Sequence, residues 1–296
     1  MKIVSNGVQL HVEQRGAGAP ALVFLHYWGG SSHTWRHVID ALALSHRTIA
    51  LDQRGWGRSP AATTGYALED LANDAQAVIN ELDLESYILV GHSMGGKVSQ
   101  LLASRRPRGL IGLVLVAPAP PSPMAVPLDV RQGMVHAYDT RESIIATVKQ
   151  VLAPGSLAPE DLEAVITDSL AGAPAAKRAW PLEGSQEDIS AALSRINVPV
   201  LVVSGEDDRV DPPAVLRREL LSRISQAQLV VLPGVGHLSP LEAPAQLATI
   251  ITAFALGVTK QGLSLPPGNG EVALSPCIDC GVMRLAALSA GRARKS

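Results

Sequence analysis

Short apolar runs alternate along this chain with longer segments whose apolar residues recur at helical spacing. Residues 21–25 (Ala-Leu-Val-Phe-Leu) and 87–90 (Tyr-Ile-Leu-Val) are apolar throughout, as expected for strands that are covered on both faces. Similar short runs occur at residues 48–51, 113–116, 200–203 and 229–232. Between the runs lie segments such as 68–84, where apolar residues from Leu68 to Leu82 recur at the spacing that places them on one side of a helix. This alternation predicts an α/β fold with a mostly parallel sheet flanked by helices.

The first residues of the chain predict an antiparallel hairpin. Residues 2–5 and 8–14 have the pattern of two strands, and the Asn6-Gly7 pair that joins them is the strongest short signal for a hairpin turn. Together with the six apolar runs, this hairpin brings the predicted sheet to eight strands.

One long interval interrupts the alternation. Residues 118–197 contain no good strand, and their periodic segments are helical, at about residues 129–138, 141–152, 159–170 and 188–195. An insertion of this kind predicts a helical cap over the carboxyl edge of the sheet, where α/β proteins bind ligands. The α/β core would then comprise residues 1–117 and 198–256.

The final segment, residues 257–296, differs from the rest of the chain. It is rich in proline and glycine near its start and basic at its end. Cys277 and Cys280 form a Cys-x-x-Cys pair without other ligands nearby, which is a weak signal for zinc or redox chemistry. We therefore expect a poorly ordered C-terminal extension that takes no part in the chemistry.

The overall composition excludes several classes of protein. Lys and Arg total 25 against 27 Asp and Glu, for a net charge of −2, which argues against a nucleic-acid partner or a polybasic membrane protein. Two cysteines cannot build a disulfide framework. No segment approaches the roughly 18 apolar residues that a membrane span needs, and the N-terminus turns polar too early for a signal peptide. We expect a cytoplasmic protein.

Residues 91–95 (Gly-His-Ser-Met-Gly) lie between an apolar strand and a predicted helix. In that context the Gly-x-Ser-x-Gly pattern predicts a sharp turn, at which Gly91 and Gly95 leave room that side chains would fill. The turn would project the hydroxyl of Ser93 from the carboxyl edge of the sheet, where the N-terminus of the helix favours negative charge. Ser93 is therefore the predicted nucleophile.

A serine hydroxyl becomes an effective nucleophile only when a base removes its proton. Among the eight histidines, His237 follows the last predicted strand and would lie at the same edge of the sheet as Ser93. His92 neighbours the nucleophile but should point elsewhere from a tight turn, and His26 is interpreted as an organiser of its loop. We therefore predict that His237 is the base.

The base needs a carboxylate that orients its ring. Residues 205–211 offer four acids just after the strand at 200–203. Asp208 is the preferred partner and Asp207 is its main competitor. Asp211 precedes two prolines and is interpreted as a helix cap.

An oxyanion hole and a pocket complete the prediction. The backbone N–H of Met94 follows the nucleophile, and that of Trp28 lies in the loop after the strand at 21–25, so these two groups are the expected oxyanion donors. The expected substrate-binding residues are aromatic or apolar and lie in the core loops and the cap: Tyr27, Trp28, Met124, Met134, Trp180 and Leu238.

Taken together, these motifs resemble those of the α/β-hydrolase superfamily, in the cap-containing branch of carboxylesterases, C–C bond hydrolases, lactonases and cofactor-free perhydrolases. The resemblance covers about residues 1–256 and rests on residues 51–59, residues 91–96, Gly205-x-x-Asp208, and Gly236-His237 with Glu242-x-Pro244. It favours Asp208 over Asp207. The chain departs from many relatives at Tyr27, where they carry glycine. A serine nucleophile argues against the chemistry of the dehalogenases and epoxide hydrolases of this superfamily, which use aspartate.

The sequence thus predicts a serine hydrolase that cleaves small to medium acyl or aryl esters through the triad Ser93, Asp208 and His237. No metal and no organic cofactor is implied, and the partner is a small-molecule ester. One alternative is C–C bond or lactone hydrolysis, or perhydrolysis, by the same triad. An alternative of another class is a ligand receptor that keeps the hydrolase fold for signalling. The oligomeric state stays open.

Overall fold

A ten-stranded sheet organises the described part of the chain, which in this computed structural model comprises residues 1–63, 65–155, 157–259, 270–276 and 283–288. The strands are β1 (Lys2–Ser5), β2 (Val8–Arg15), β3 (Ala21–Leu25), β4 (Thr48–Leu51), β5 (Tyr87–His92), β6 (Leu110–Val116), β7 (Val200–Gly205), β8 (Ala227–Leu232), β9 (Gly270–Pro276) and β10 (Met283–Ala287). Their spatial order is β1-β2-β4-β3-β5-β6-β7-β8-β9-β10. The eight predicted strands correspond to β1 to β8.

The central strands are parallel and buried on both faces. Neighbouring strands from β4 through β3 to β8 run parallel, whereas β1 and β2 form the predicted hairpin and β2 runs antiparallel to β4. Within β3, Val23 and Leu25 enter one hydrophobic core and Leu22 and Phe24 enter the other, because successive side chains of a strand point to opposite faces. Since parallel strands end at one edge, the loops after β3, β5, β7 and β8 meet there.

Helices cover both faces of the sheet, as predicted. The ten α-helices of the described residues are α1 (Arg36–Leu42), α2 (Leu68–Glu81), α3 (Met94–Ser104), α4 (Leu128–Met134), α5 (Arg141–Thr147), α6 (Pro159–Ala171), α7 (Pro174–Leu182), α8 (Pro213–Leu216), α9 (Ser239–Glu242) and α10 (Pro244–Thr259). Apolar residues of α2 and α3 belong to one core, and those of α1 and α10 belong to the other. The sheet therefore separates two hydrophobic layers.

The helical insertion lies between β6 and β7 and contains α4 to α7. Helix α5 continues into a π-helical turn at Val148–Leu152, which completes the helical segment predicted at 141–152. The sequence pattern missed α7, which begins at Pro174 and contains Pro181, because an internal proline normally ends a helix. The segment predicted at 188–195 forms only a 3₁₀-helix, Ser190–Arg195.

Two described segments of the C-terminal extension, which we expected to be poorly ordered, form strands that extend the sheet. Strand β9 pairs in parallel with β8, and β10 pairs antiparallel with β9. Val272 and Leu285 are buried in the same core as Phe254 of α10. Cys277 and Cys280 lie outside the described residues. Within the described ranges, each helix is too short or too polar to cross a bilayer.

A buried ion pair fastens the loop after β4 to α2. The guanidinium of Arg54 donates two hydrogen bonds to the carboxylate of Asp74, at 2.6 and 2.7 Å, and a third to the carbonyl oxygen of Gly65 at 2.6 Å. Both charged side chains are almost fully buried, with exposed fractions of 3% and 1%. Removing one partner of such a pair leaves an uncompensated charge in the interior.

We predict that Asp74→Ala lowers the free energy of unfolding by about 3–5 kcal/mol, the usual cost of breaking a buried pair. The measurement is equilibrium unfolding in urea, monitored by circular dichroism. The matched control is Asp40→Ala, which breaks the Arg15–Asp40 pair, whose side chains are 52% and 61% exposed. That change should cost less than about 1 kcal/mol. Equal losses for the two variants would contradict a structural role for the buried pair.

Candidate active site

Ser93 lies on a strained turn between β5 and α3. Its backbone has φ 52° and ψ −113°, a conformation that residues with a side chain rarely adopt. The flanking glycines allow the turn, because a Cβ at Gly91 would lie 2.3 Å from the hydroxyl of Ser99, and one at Gly95 would lie 2.6 Å from the carbonyl oxygen of His26. The close packing around both glycines is the feature that the sequence pattern predicted.

Two backbone hydrogen bonds hold this turn to the end of β6. The N–H of Ser93 donates to the carbonyl oxygen of Val116 at 3.1 Å, and the N–H of Ala119 donates to the carbonyl oxygen of Ser93 at 3.1 Å. Met94 is the first residue of α3, so its N–H has no acceptor within the helix. That N–H is therefore available at the position expected for an oxyanion donor.

Asp208 and His237 form a buried hydrogen-bonded pair. Oδ2 of Asp208 lies 2.8 Å from Nδ1 of His237, and Oδ1 accepts hydrogen bonds from the N–H groups of Val210 and Asp211 at 2.8 and 3.1 Å. Asp207, the competing candidate, is exposed. The structure thus joins Asp208 to the histidine from the loop after β8.

The pKa values of this pair move in the directions expected for a triad. Burial alone would raise the pKa of Asp208, but the charge of His237 and the hydrogen bonds that Asp208 accepts lower it below its ordinary value. Burial alone would lower the pKa of His237, but the charge and hydrogen bond of Asp208, with smaller contributions from Asp211 and Glu242, raise it. The pair therefore stabilises an imidazolium, which is the form that a general base becomes after it accepts a proton.

His26 organises the loop after β3, as its position in the sequence indicated. The N–H of Gln53 donates to Nε2 of His26 at 3.1 Å, so the proton of the ring must lie on Nδ1, which donates to the carbonyl oxygen of Tyr27 at 2.7 Å. Burial lowers the pKa of His26 and favours this neutral form. Because the peptide is planar and trans, the N–H of Trp28 points away from the fixed carbonyl group of Tyr27.

The cap also holds this loop. The hydroxyl of Tyr138 donates to the carbonyl oxygen of Trp28 at 2.9 Å, and the indole N–H of Trp28 donates to the carbonyl oxygen of Lys177 at 3.1 Å. The rings of Trp28 and Tyr138 pack with centroids 4.4 Å apart, and the hydroxyl of Ser169 donates to the carbonyl oxygen of Gly29. Trp28 is therefore fixed at its backbone and at its side chain by residues of the insertion.

A family model described as the alpha/beta hydrolase family matches residues 22–250. The chain belongs to the alpha/beta hydrolase family. The matched residues include the turn at Ser93, the Asp208–His237 pair and the whole helical insertion, so the match covers the site as well as the central parallel strands. The predicted fold class is confirmed.

Relatives within this family carry several activities in their names. A non-heme haloperoxidase of Rhodococcus erythropolis is 28% identical, over 79% of this chain and 90% of its own length. The bifunctional esterase/perhydrolase DCH of Acinetobacter calcoaceticus is 27% identical, over 84% of this chain and 96% of its own length. Among solved structures, an esterase of Exiguobacterium antarcticum superposes with a TM-score of 0.80 at 22% identity, over 86% of this chain and 98% of its own; at that identity the likeness shows the fold alone.

The predicted pocket residues of this hydrolase lie in different surroundings. Trp180 lines a narrow cavity between cap and core together with Met94, Trp56 and Tyr66. Met124 and Met134 are half-buried in the cap and pack on the hydrophobic core to which α2 and α3 contribute. Tyr27 and Leu238 are buried, and the ring of Tyr27 packs on that of His92, with centroids 5.2 Å apart. A role for these side chains in substrate binding stays a prediction.

Asp211 is an interior acid that the sequence pattern misplaced. Its interpretation as a helix cap is wrong, because the N-cap of α8 is Pro212. Asp211 is 2% exposed, and its Oδ2 has no hydrogen-bond partner among the described residues. Burial and the charge of Asp208 outweigh the opposing charges of His237 and Lys97 and raise the pKa of Asp211 to about 8. The interior position of Asp211 therefore favours its protonated, uncharged form.

We predict that Asp211→Asn makes stability less dependent on pH. Between pH 3.8, the ordinary pKa, and about pH 8, the folded chain holds a proton that the unfolded chain has released, so stability falls as pH rises through this window, by up to about 1.4 kcal/mol per pH unit. The amide cannot ionise, so the variant should lack this part of the slope and gain stability relative to the wild type as pH rises.

Urea unfolding at several pH values between 4 and 8 measures the slope for each protein. Asp207→Asn removes a carboxyl from the exposed neighbouring position and is the matched control. If Asp211→Asn and Asp207→Asn change the slope equally, Asp211 is not the proton-holding group described above.

Proposed function

We propose that this hydrolase cleaves carboxylic esters of small to medium acyl or aryl groups through an acyl-enzyme intermediate. The observation that carries the proposal is the buried hydrogen bond of 2.8 Å between Asp208 and His237. It lies at the sheet edge where Ser93 occupies a strained turn. A buried carboxylate that orients a histidine, at the sheet edge that carries a serine on such a turn, is an arrangement suited to acyl transfer.

In the proposed mechanism, Ser93 Oγ attacks the ester carbonyl while Nε2 of His237 takes its proton. The N–H groups of Trp28 and Met94 stabilise the oxyanion of the tetrahedral intermediate. His237 then returns the proton to the alkoxide, and the alcohol leaves. Water attacks the acyl-enzyme with His237 again as base, and the second tetrahedral intermediate releases the acid and restores Ser93.

The assignment of nitrogen atoms follows from the hydrogen bonds. Because Nδ1 of His237 is bonded to Asp208, Nε2 is the nitrogen that serves Ser93. Asp208 stays ionised throughout, since its lowered pKa keeps the proton on His237. The carboxylate thus orients the ring and stabilises the positive charge that develops on it.

We predict that Ser93→Ala reduces kcat for p-nitrophenyl acetate or butyrate by on the order of 10⁴- to 10⁶-fold, as in other triads. The matched control is Ser104→Ala on the same helix, where the hydroxyl donates to the carbonyl oxygen of Leu101; it should keep wild-type turnover. A fluorophosphonate probe followed by mass mapping should label Ser93. Ester hydrolysis that survives Ser93→Ala, or a folded wild type that hydrolyses no short acyl ester, would overturn the proposal.

The similarity to an esterase/perhydrolase and to a haloperoxidase favours perhydrolysis as a second activity of the same site. Here Ser93 attacks a carboxylic acid and water leaves; hydrogen peroxide, in place of water, then attacks the acyl-enzyme and releases a peroxy acid and free Ser93. We predict that acetate and hydrogen peroxide yield peracetic acid in wild type and none in Ser93→Ala, as measured by the oxidation of bromide. Peracid formation that persists without the hydroxyl of Ser93 would exclude this route.

A further inference from the structure

His92, the last residue of β5, contacts the loop that carries His237. Nε2 of His92 lies 2.8 Å from the backbone carbonyl oxygen of His237. Because a carbonyl oxygen only accepts hydrogen bonds, Nε2 of His92 must carry a proton and donate it. The sequence pattern suggested that this side chain points away from the site. Instead its ring packs on that of His237, with centroids 5.2 Å apart.

The surroundings of His92 hold its ring in one orientation. The ring is fully buried and contacts the rings of Tyr27 and Trp35, with centroids 5.2 and 5.9 Å away. Burial, helped by the neighbouring charge of His237, lowers the pKa of His92 to about 3, so the ring is neutral at working pH. Nδ1 has no hydrogen-bond partner among the described residues. The ring therefore makes one directed hydrogen bond, and that bond ends on His237.

The backbone of His237 is consequently anchored on two sides. Its N–H donates to the carbonyl oxygen of Leu152 in the cap at 2.7 Å, while its carbonyl group is held by His92. The ring is held separately by Asp208. Of these anchors, only His92 is adjacent in sequence to Ser93. A displacement of this loop would change the separation of base and nucleophile directly.

We propose that His92 is a positioning residue: its Nε2–H donor ties the backbone of His237 to the strand that ends at Ser93, and thereby sets the distance between base and nucleophile. The expected effect on the rate rests on the proposed function. The anchoring of the His237 backbone by His92 does not. Misplacement of a catalytic group by about 1 Å can cost on the order of 10²-fold in rate.

Two variants separate the donor from the packing of the ring. His92→Phe keeps an aromatic ring but has no donor. His92→Gln places an amide nitrogen at the position of Nε2 and keeps a donor. We expect His92→Phe to lower kcat for a short acyl ester by roughly 10- to 100-fold, with KM changed less than about twofold. His92→Gln should recover most of the loss, and thermal unfolding should show that both variants are folded.

A second measurement does not depend on turnover. In proton NMR, the Nδ1–H of His237 in its hydrogen bond to Asp208 should exchange with solvent faster in His92→Phe than in wild type, and at nearly the wild-type rate in His92→Gln. Exchange that is equally slow in His92→Phe, or equally fast in both variants, would overturn the inference. Absence of ester turnover in wild type with the expected exchange pattern would reject the proposed function and leave the anchoring role in place. Normal kcat in His92→Phe would reject the positioning role alone.

Discussion

A carboxylate that is removed from water stays ionised only when charge and hydrogen bonds replace the water that it loses. Asp208 meets this condition with the ring N–H of His237 on one oxygen and two backbone N–H groups on the other. The loop after β7 must therefore curl around its own aspartate, and the loop after β8 must bring the histidine to it. This one buried interaction joins the loops after β7 and β8 at the edge of the sheet.

The cap does more than cover that edge. Its residues hold two loops of the core at that edge: Tyr138, Ser169 and Lys177 bind the loop around Trp28, and Leu152 binds the backbone of His237. An oxyanion hole accelerates a reaction only when its donors are in place before charge develops. In the proposed mechanism, a change in the cap would therefore alter the rate of the reaction without contacting the substrate.

Local patterns predicted the regular elements well. Strands β3 and β4 have the predicted bounds, because a strand that is buried on both faces must be a short apolar run. Strand β1 also has the predicted bounds, because the Asn6-Gly7 turn fixes where it ends. Patterns failed where a distant partner determines the structure. Helix α7 forms despite Pro181, and Trp180 beside that proline is buried in the core. Strand β9 pairs with the edge of β8. The local sequence pattern of the extension did not predict this pairing.

At the site, the sequence by itself determined the residues that a tight turn and a strand end require. Ser93 must lie between glycines, since the contacts around Gly91 and Gly95 leave no room for side chains. His237 must lie at the same edge, since it follows a parallel strand. The sequence preferred Asp208 to Asp207, and the structure shows the hydrogen bond of Asp208 to His237. Only the tertiary structure decided that Asp211 is an interior acid and that His92 faces His237. Those outcomes depend on where loops far apart in sequence come to lie, and burial there is decided by neighbours on other strands and in the cap.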